Sequence, residues 1–154
     1  MTGAAERLAA LGLTLPPVTA PVAAYVPAVR TGAYVYVSGQ LPVTDGKLAA
    51  TGKVGAEVSA EDAAGMARTC ALNALAAAAS VAGGLEGIRR IVKMTGFVAS
   101  APGFGGQPQV INGASELLIE VFGEEGKHAR SAIGVAELPL NAPVEVELIA
   151  EVRD

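Results

Sequence analysis

The chain reads as an α+β domain, a mixed sheet with two helices packed on one face. Three observations predict this. Short runs that are β-branched, aromatic or alternately apolar mark five strand segments, and apolar residues recur every three or four residues in two others. Glycine, proline and other turn-forming residues separate those segments. The resulting order after an N-terminal arm, β-β-α-β-α-β-β, offers only two helices to the sheet, so one sheet face is left without a cover.

Residues 4–11 suit a short helix, which Pro16, Pro17 and Pro21 cannot continue. Residues 1–22 are therefore read as a helix and extended arm, and residues 23–154 as the main domain. The β-branched and aromatic runs 25–30 and 34–37 flank Thr31-Gly32-Ala33, a hairpin composition. Ser38-Gly39-Gln40 ends the second run, and residues 42–58, with Asp45-Gly46, form a long turn-rich connection. Ser59 caps the next segment, Glu61 and Asp62 favour its first turn, and Ala63, Met66, Ala67, Cys70, Ala74, Ala77 and Val81 make its buried stripe. Gly83-Gly84 stops this helix.

In residues 90–98, Ile91, Lys93 and Thr95 alternate with Val92, Met94 and Gly96. After a Gly- and Pro-rich stretch, residues 109–122 carry Val110, Ala114, Leu117, Leu118 and Val121 on one helical face, closed by Gly123. Residues 130–137 and 144–152 complete the set as strands, and their short connection is compatible with antiparallel pairing.

Composition narrows the function. A length of 154 residues fits one domain. The formal charge of −4, with scattered basic residues, gives no electrostatic footprint for nucleic acid, and three Tyr, three Phe and no Trp make a poor base-stacking platform. A single Cys and a single His exclude an internal disulfide and leave no ligand set for a soft metal, which suits a reducing cytoplasm. The first twenty residues, with Glu6 and Arg7, do not read as a secretory signal, and no run of about 18 apolar residues suggests a membrane span. An apolar content of 51% together with an uncovered sheet face points to homo-oligomerisation.

Charged residues make up only 17% of the chain, so Arg130 at the head of a small-residue strand stands out. It is either a bidentate anchor for the carboxylate of a small acid or an exposed strand-end arginine paired with a surface glutamate. Glu145, Glu147 and Glu151 share one face of the last strand, as a solvated face would. Alternatively Glu145 lies in a pocket beside Arg130 and orients a water; beside a guanidinium it stays ionised at neutral pH. His128, the only histidine, either titrates near the pocket or donates to a substrate, or is a partly exposed loop residue. Cys70 falls on the buried stripe and reads as a small core residue.

Tyr25-Val26, Ser38-Gly39-Gln40-Leu41-Pro42, Val92-Lys93-Met94-Thr95-Gly96-Phe97-Val98, Ala129-Arg130-Ser131 and Glu145-Val146-Glu147 stand in the order and spacing of the Rid/YjgF family. Over roughly residues 23 to 153 the chain resembles that family. The resemblance implies a chorismate-mutase-like fold assembled as a homotrimer, with pockets between subunits. It also implies hydrolytic deamination of reactive enamines and imines, such as 2-aminoacrylate and 2-iminobutyrate, to 2-oxo acids and ammonia. On this resemblance Arg130 holds the substrate carboxylate with the backbone amides of Gly39 and Ala132, and Ser38 belongs to the same binding set. Tyr25 bounds the pocket with its hydroxyl, and Glu145, fifteen positions beyond Arg130, places the attacking water. Asn112 matches a family position near the start of the second helix, where local capping or packing is expected.

No cofactor is implied, because an imine is already electrophilic and its hydrolysis needs orientation and a placed water. The chain departs from the family pattern at Ala132, where cysteine is common, and at His128, where proline is usual. With its N-terminal arm it looks like a longer branch. Two other functions compete with the deaminase: a protein that binds or senses a small carboxylate without turnover, and the ribonuclease or translation inhibitor attached to some relatives.

Overall fold

The computed structural model describes residues 2–18, 20, 21 and 23–154. Thr19 and Val22, in the stretch expected as an extended arm, lie outside these, as does Met1. In chain order the elements are α1 (Ala4–Ala10), β1 (Ala28–Thr31), β2 (Tyr34–Gln40), a small hairpin of β3 (Val43–Thr44) and β4 (Lys47–Leu48), α2 (Ala60–Ala82), β5 (Ile88–Ala99), α3 (Gln107–Phe122), β6 (Ala129–Val135) and β7 (Val144–Val152). The main sheet runs β1-β2-β7-β5-β6 in space, with α2 and α3 on one face.

The helices start and stop where their residues dictate. Ser59 accepts a hydrogen bond from the Asp62 amide at 3.1 Å, and α2 closes on Gly83 in the left-handed conformation. Its expected stripe is buried except for Val81, which is partly so, and burial spreads further to Ala71, Leu75 and Ala78. The reason is that α2 is held between the sheet and α3. Small residues let the helices approach: a Cβ on Gly113 of α3 would collide with the backbone carbonyl of Ala64. Helix α3 begins two residues before the expected 109, with Pro108 in its first turn, where a missing N–H costs nothing.

The connection 42–58 is not all loop. Asp45 and Gly46, with φ of 52° and 79°, turn β3 into β4. Strand β1 begins at Ala28 rather than at Tyr25, because Ser38 draws the preceding segment back across the end of β2. Its hydroxyl donates to the Val26 carbonyl at 2.7 Å and its amide to the Pro27 carbonyl at 2.9 Å.

The expected antiparallel pairing of the last two strands does not form. β6 runs parallel to β5, with Arg130 beside Met94, and β7 passes to the other side of β5 to lie between it and β2. The apolar pattern explains this. Val144, Val146, Leu148, Ala150 and Val152 are all buried, and a strand with so complete an apolar face gains most at the sheet centre beneath the helices. β6 has no fully buried residue and takes the edge. The turn at Pro139–Asn141, where Leu140 and Asn141 hold φ of 59° and 58°, carries the chain across.

The N-terminal segment joins the same core: Leu8 is buried, Leu13 and Leu15 pack against the cluster, and the Ala5 amide donates to Glu86 at 2.9 Å. Opposite the helices the sheet is bare, with Val29, Tyr34, Tyr36 and Ile133 exposed. A hollow of about 340 Å³ on this face is lined by Val29, Tyr36, Ser38, Lys93, Thr95 and Glu147. A second hollow, of about 630 Å³, lies between Leu15-Pro16-Pro17 and the Leu72-Asn73 stretch of α2. Among the described residues no helix is long and apolar enough to cross a membrane.

Candidate functional site

Arg130 is the second residue of the edge strand β6. Its strand neighbour Met94 points into the core, so the Arg130 side chain also turns to the helix side. There Nη1 donates to Asn112 Oδ1 at 2.8 Å and to Ser115 Oγ at 3.2 Å, and Nη2 to the Pro108 carbonyl at 3.5 Å. Asn112 and Ser115 are three residues apart on α3 and therefore share a face. The structure thus gives Asn112 a partner, Arg130, where only local capping or packing was expected.

His128 stands behind this cluster. Its Nδ1 lies 2.6 Å from the Gly126 carbonyl and its Nε2 2.9 Å from Ser115 Oγ. A carbonyl only accepts, so Nδ1 carries the proton, and Nε2 of the neutral ring accepts from the serine. Burial lowers the His128 pKa from its usual value; the Gly126 bond opposes this and the Arg130 charge adds to it. Both ring nitrogens are engaged inside the protein, so His128 is not the direct donor to a substrate that the sequence allowed.

The amides of β6 are set by its place at the edge. The Ser100 amide donates to the Val135 carbonyl at 3.1 Å, which turns the backbone of Val135, Ile133 and Ser131 toward β5. The alternating residues Arg130, Ala132 and Gly134 then direct their N–H groups to the open edge. Ala132 offers an amide on the same strand edge as Arg130.

Glu145 belongs to a different surface. It is the second residue of β7, opposite Phe97, with its side chain on the face away from the helices. Across from it, β2 is bulged: Val37 pairs with Leu148 and Gln40 with Val146, so Ser38 and Gly39 together span one residue of β7. A Cβ on Gly39 would sit 2.7 Å from Glu145 Oε2, so the carboxylate occupies space that only glycine leaves free. Tyr25 is exposed in the segment that Ser38 ties to the end of β2, at the same rim.

Within one chain Arg130 and Glu145 are not brought together, because the expected pairing of their two strands does not form. With no guanidinium beside it, the Glu145 pKa is raised, first by burial and then by Glu147, the reverse of what proximity to Arg130 would give. Such a carboxylate is a better proton acceptor than an ordinary glutamate once it is ionised. Ser115 escaped the sequence reading. The signal was a serine one turn from Asn112 within the apolar stripe of α3. Cys70 is buried, its thiol pushed up by burial first and by Glu145 second, consistent with a core role. Among the described residues no group of three or more His, Cys, Asp or Glu is arranged to hold a metal.

A mixed five-stranded sheet backed by two long helices, with an arginine on the edge strand and a glutamate on the open face, defines an α+β domain of chorismate-mutase-like type. A sequence model of the YjgF/chorismate-mutase-like endoribonuclease family matches residues 5–152, and the chain belongs to that family. It is 43% identical over 151 residues to Protein TCP17 of Trypanosoma cruzi, covering 97% of this chain and 94% of that protein. Among solved structures it is similar to Atu1372 of Agrobacterium tumefaciens, a protein of unknown function, at 49% identity and a TM-score of 0.88 over 98% of this chain and 94% of that one. It is also similar to TdcF of E. coli, solved with bound serine, at 29% identity and a TM-score of 0.59 over 88% and 92% of the two chains.

Proposed function

We propose that this protein hydrolyses the enamine and imine forms of small 2-amino acids, of the 2-aminoacrylate and 2-iminobutyrate type, to 2-oxo acids and ammonia. Its sites are completed between subunits of a homotrimer. The observation that carries this reading is the fixed guanidinium of Arg130, held from behind by α3 at an open strand edge. The bound serine of TdcF, a ligand with a carboxylate, supports a small acid as occupant of this fold.

In the proposed reaction the substrate carboxylate rests on Arg130 and the outward amide of Ala132, with the Gly39 amide and Ser38 from the facing rim and Tyr25 at its margin. Glu145 accepts a proton from a water as the water oxygen bonds to the imine carbon. The nitrogen gains that proton and a carbinolamine results; Glu145 then takes the hydroxyl proton and passes it to the nitrogen, the C–N bond breaks, and ammonia leaves as the carbonyl forms. The imine carbon is electrophilic already, so placement supplies most of what the protein must add.

The geometry supports assembly. Arg130 and Glu145 lie on opposite faces of one sheet, so a single chain does not present both to one ligand. The bare apolar face that carries Glu145 is the surface a second copy would cover. The test generates 2-iminobutyrate or 2-aminoacrylate in situ with a dehydratase and follows loss of the imine. Wild type no faster than Arg130→Ala would overturn the reading.

The Arg130 cluster is also complete for binding without turnover, which keeps a carboxylate sensor as the second reading. Calorimetric binding of 2-oxobutyrate that Arg130→Ala abolishes, without imine hydrolysis by any variant, would favour it. Ribonuclease action, named in the family's description, is opposed by the charge of −4. Tight, salt-sensitive binding of single-stranded RNA would favour it.

A further inference from the structure

We propose that Ser115 and His128 are positioning residues for Arg130: Ser115, held by His128 behind it, occupies Nη1 together with Asn112 and leaves the Nε–Nη2 edge of the guanidinium to receive a carboxylate. This rests on the reading of Arg130 as the carboxylate anchor and adds which edge of it binds and what fixes that edge.

A guanidinium has five N–H donors in one plane. Both donors of Nη1 are used, one on Asn112 Oδ1 at 2.8 Å and one on Ser115 Oγ at 3.2 Å. One donor of Nη2 turns to the Pro108 carbonyl at 3.5 Å. Among the described residues Nε–H has no partner, and it runs parallel to one N–H of Nη2 along one side of the fork. That is the spacing a carboxylate matches with its two oxygens.

Ser115 can do this work only because His128 stands behind it. A hydroxyl that accepts from Arg130 must send its own proton elsewhere. In a helix the usual recipient is a carbonyl one turn back, which draws the oxygen toward the helix backbone. Here Nε2 of His128, 2.9 Å away, takes that proton instead. Nε2 is free to accept because Nδ1–H is bound to the Gly126 carbonyl at 2.6 Å. The chain Gly126 to His128 to Ser115 to Arg130 therefore has one consistent proton arrangement, with Ser115 only 9% exposed. Around this buried hydroxyl each link strengthens the next. Two charge pairs near the start of β6 close on themselves: Arg90 with Glu125 and Lys127 with Glu124.

The test is calorimetric binding of 2-oxobutyrate to the full-length protein and its variants. Ser115→Ala and His128→Ala should each weaken binding about tenfold, and the double variant little more than either, because the residues act in series. His128→Gln keeps an acceptor for the serine and should stay within about threefold of wild type. In an Arg130→Lys background, where there is no planar fork to orient, Ser115→Ala should cost less than about twofold, an outcome a general packing role would not give. Independently of ligand, the imidazole 15N spectrum at neutral pH should show His128 protonated at Nδ1. Ser115→Ala and His128→Ala that bind like wild type, equal losses in the lysine background, or protonation at Nε2 would each overturn the inference. If Arg130→Ala also binds like wild type, the anchor itself fails; if Arg130→Ala alone loses binding, only the positioning role does.

Discussion

Arg130 and Glu145 occupy opposite faces of the same sheet, two strands apart, Arg130 beside core residue Met94 and Glu145 opposite Phe97. If one site needs both, they come from different chains, and variants lacking one or the other should complement. Arg130→Ala and Glu145→Gln, each inactive alone in imine hydrolysis, should recover about a quarter of wild-type activity when unfolded together and refolded at equal amounts. No recovery in verified mixed oligomers would place both residues in one chain's site.

Glu145 carries a cost for the fold. Its folded pKa is raised, so the folded state holds that proton more tightly than the unfolded chain does. Its contribution is favourable below the unfolded value and is lost as pH rises through the folded one. Glu145→Gln should therefore melt above wild type at about pH 8, the gap closing as pH falls to about 4, while imine hydrolysis drops about a hundredfold or more. Thermal melts across that range decide it; a glutamine variant that melts lower at the alkaline end contradicts the burial argument.

The contact between α2 and α3 at Gly113 should tolerate no side chain. Gly113→Ala drives a methyl group into the Ala64 carbonyl, and the helices must separate. A loss of about 1–3 kcal/mol is expected in urea unfolding, although alanine is the better helix former. A neutral or stabilised variant would show that the helices shift freely.

The bare sheet face predicts assembly. In sedimentation, wild type should run at about three times the 15.4 kDa chain mass. Tyr36→Asp adds a negative charge to the hollow that Glu147 already lines and should yield monomers without imine hydrolysis. A variant that stays assembled would move the interface elsewhere.

The elements that depend on local chemistry were legible in the residues. Ser59 and Gly83 mark the ends of α2, and the apolar alternation of residues 144–152 fixes the face of β7, and with it the side on which Glu145 lies. What the residues did not reveal was non-local. β6 has too little alternation to show which way Arg130 points, and its parallel partner β5 is separated from it by α3. Reading residues 130–137 as the partner of 144–152 placed Arg130 next to Glu145, and their separation follows directly from the true strand order. Ser115 and His128 form a pair only after α3 folds across the start of β6, so neither position alone betrayed it.

The place of β7 between β2 and β5 also orders events during synthesis. Until residues 144–152 leave the ribosome, the β1–β2 hairpin and the β5–β6 pair share no hydrogen bonds, and each shows an unpaired edge. Such edges recruit strands from other nascent chains. The nine residues of β7 seal both at once, so the segment that carries Glu145 also removes two open edges from the emerging polypeptide.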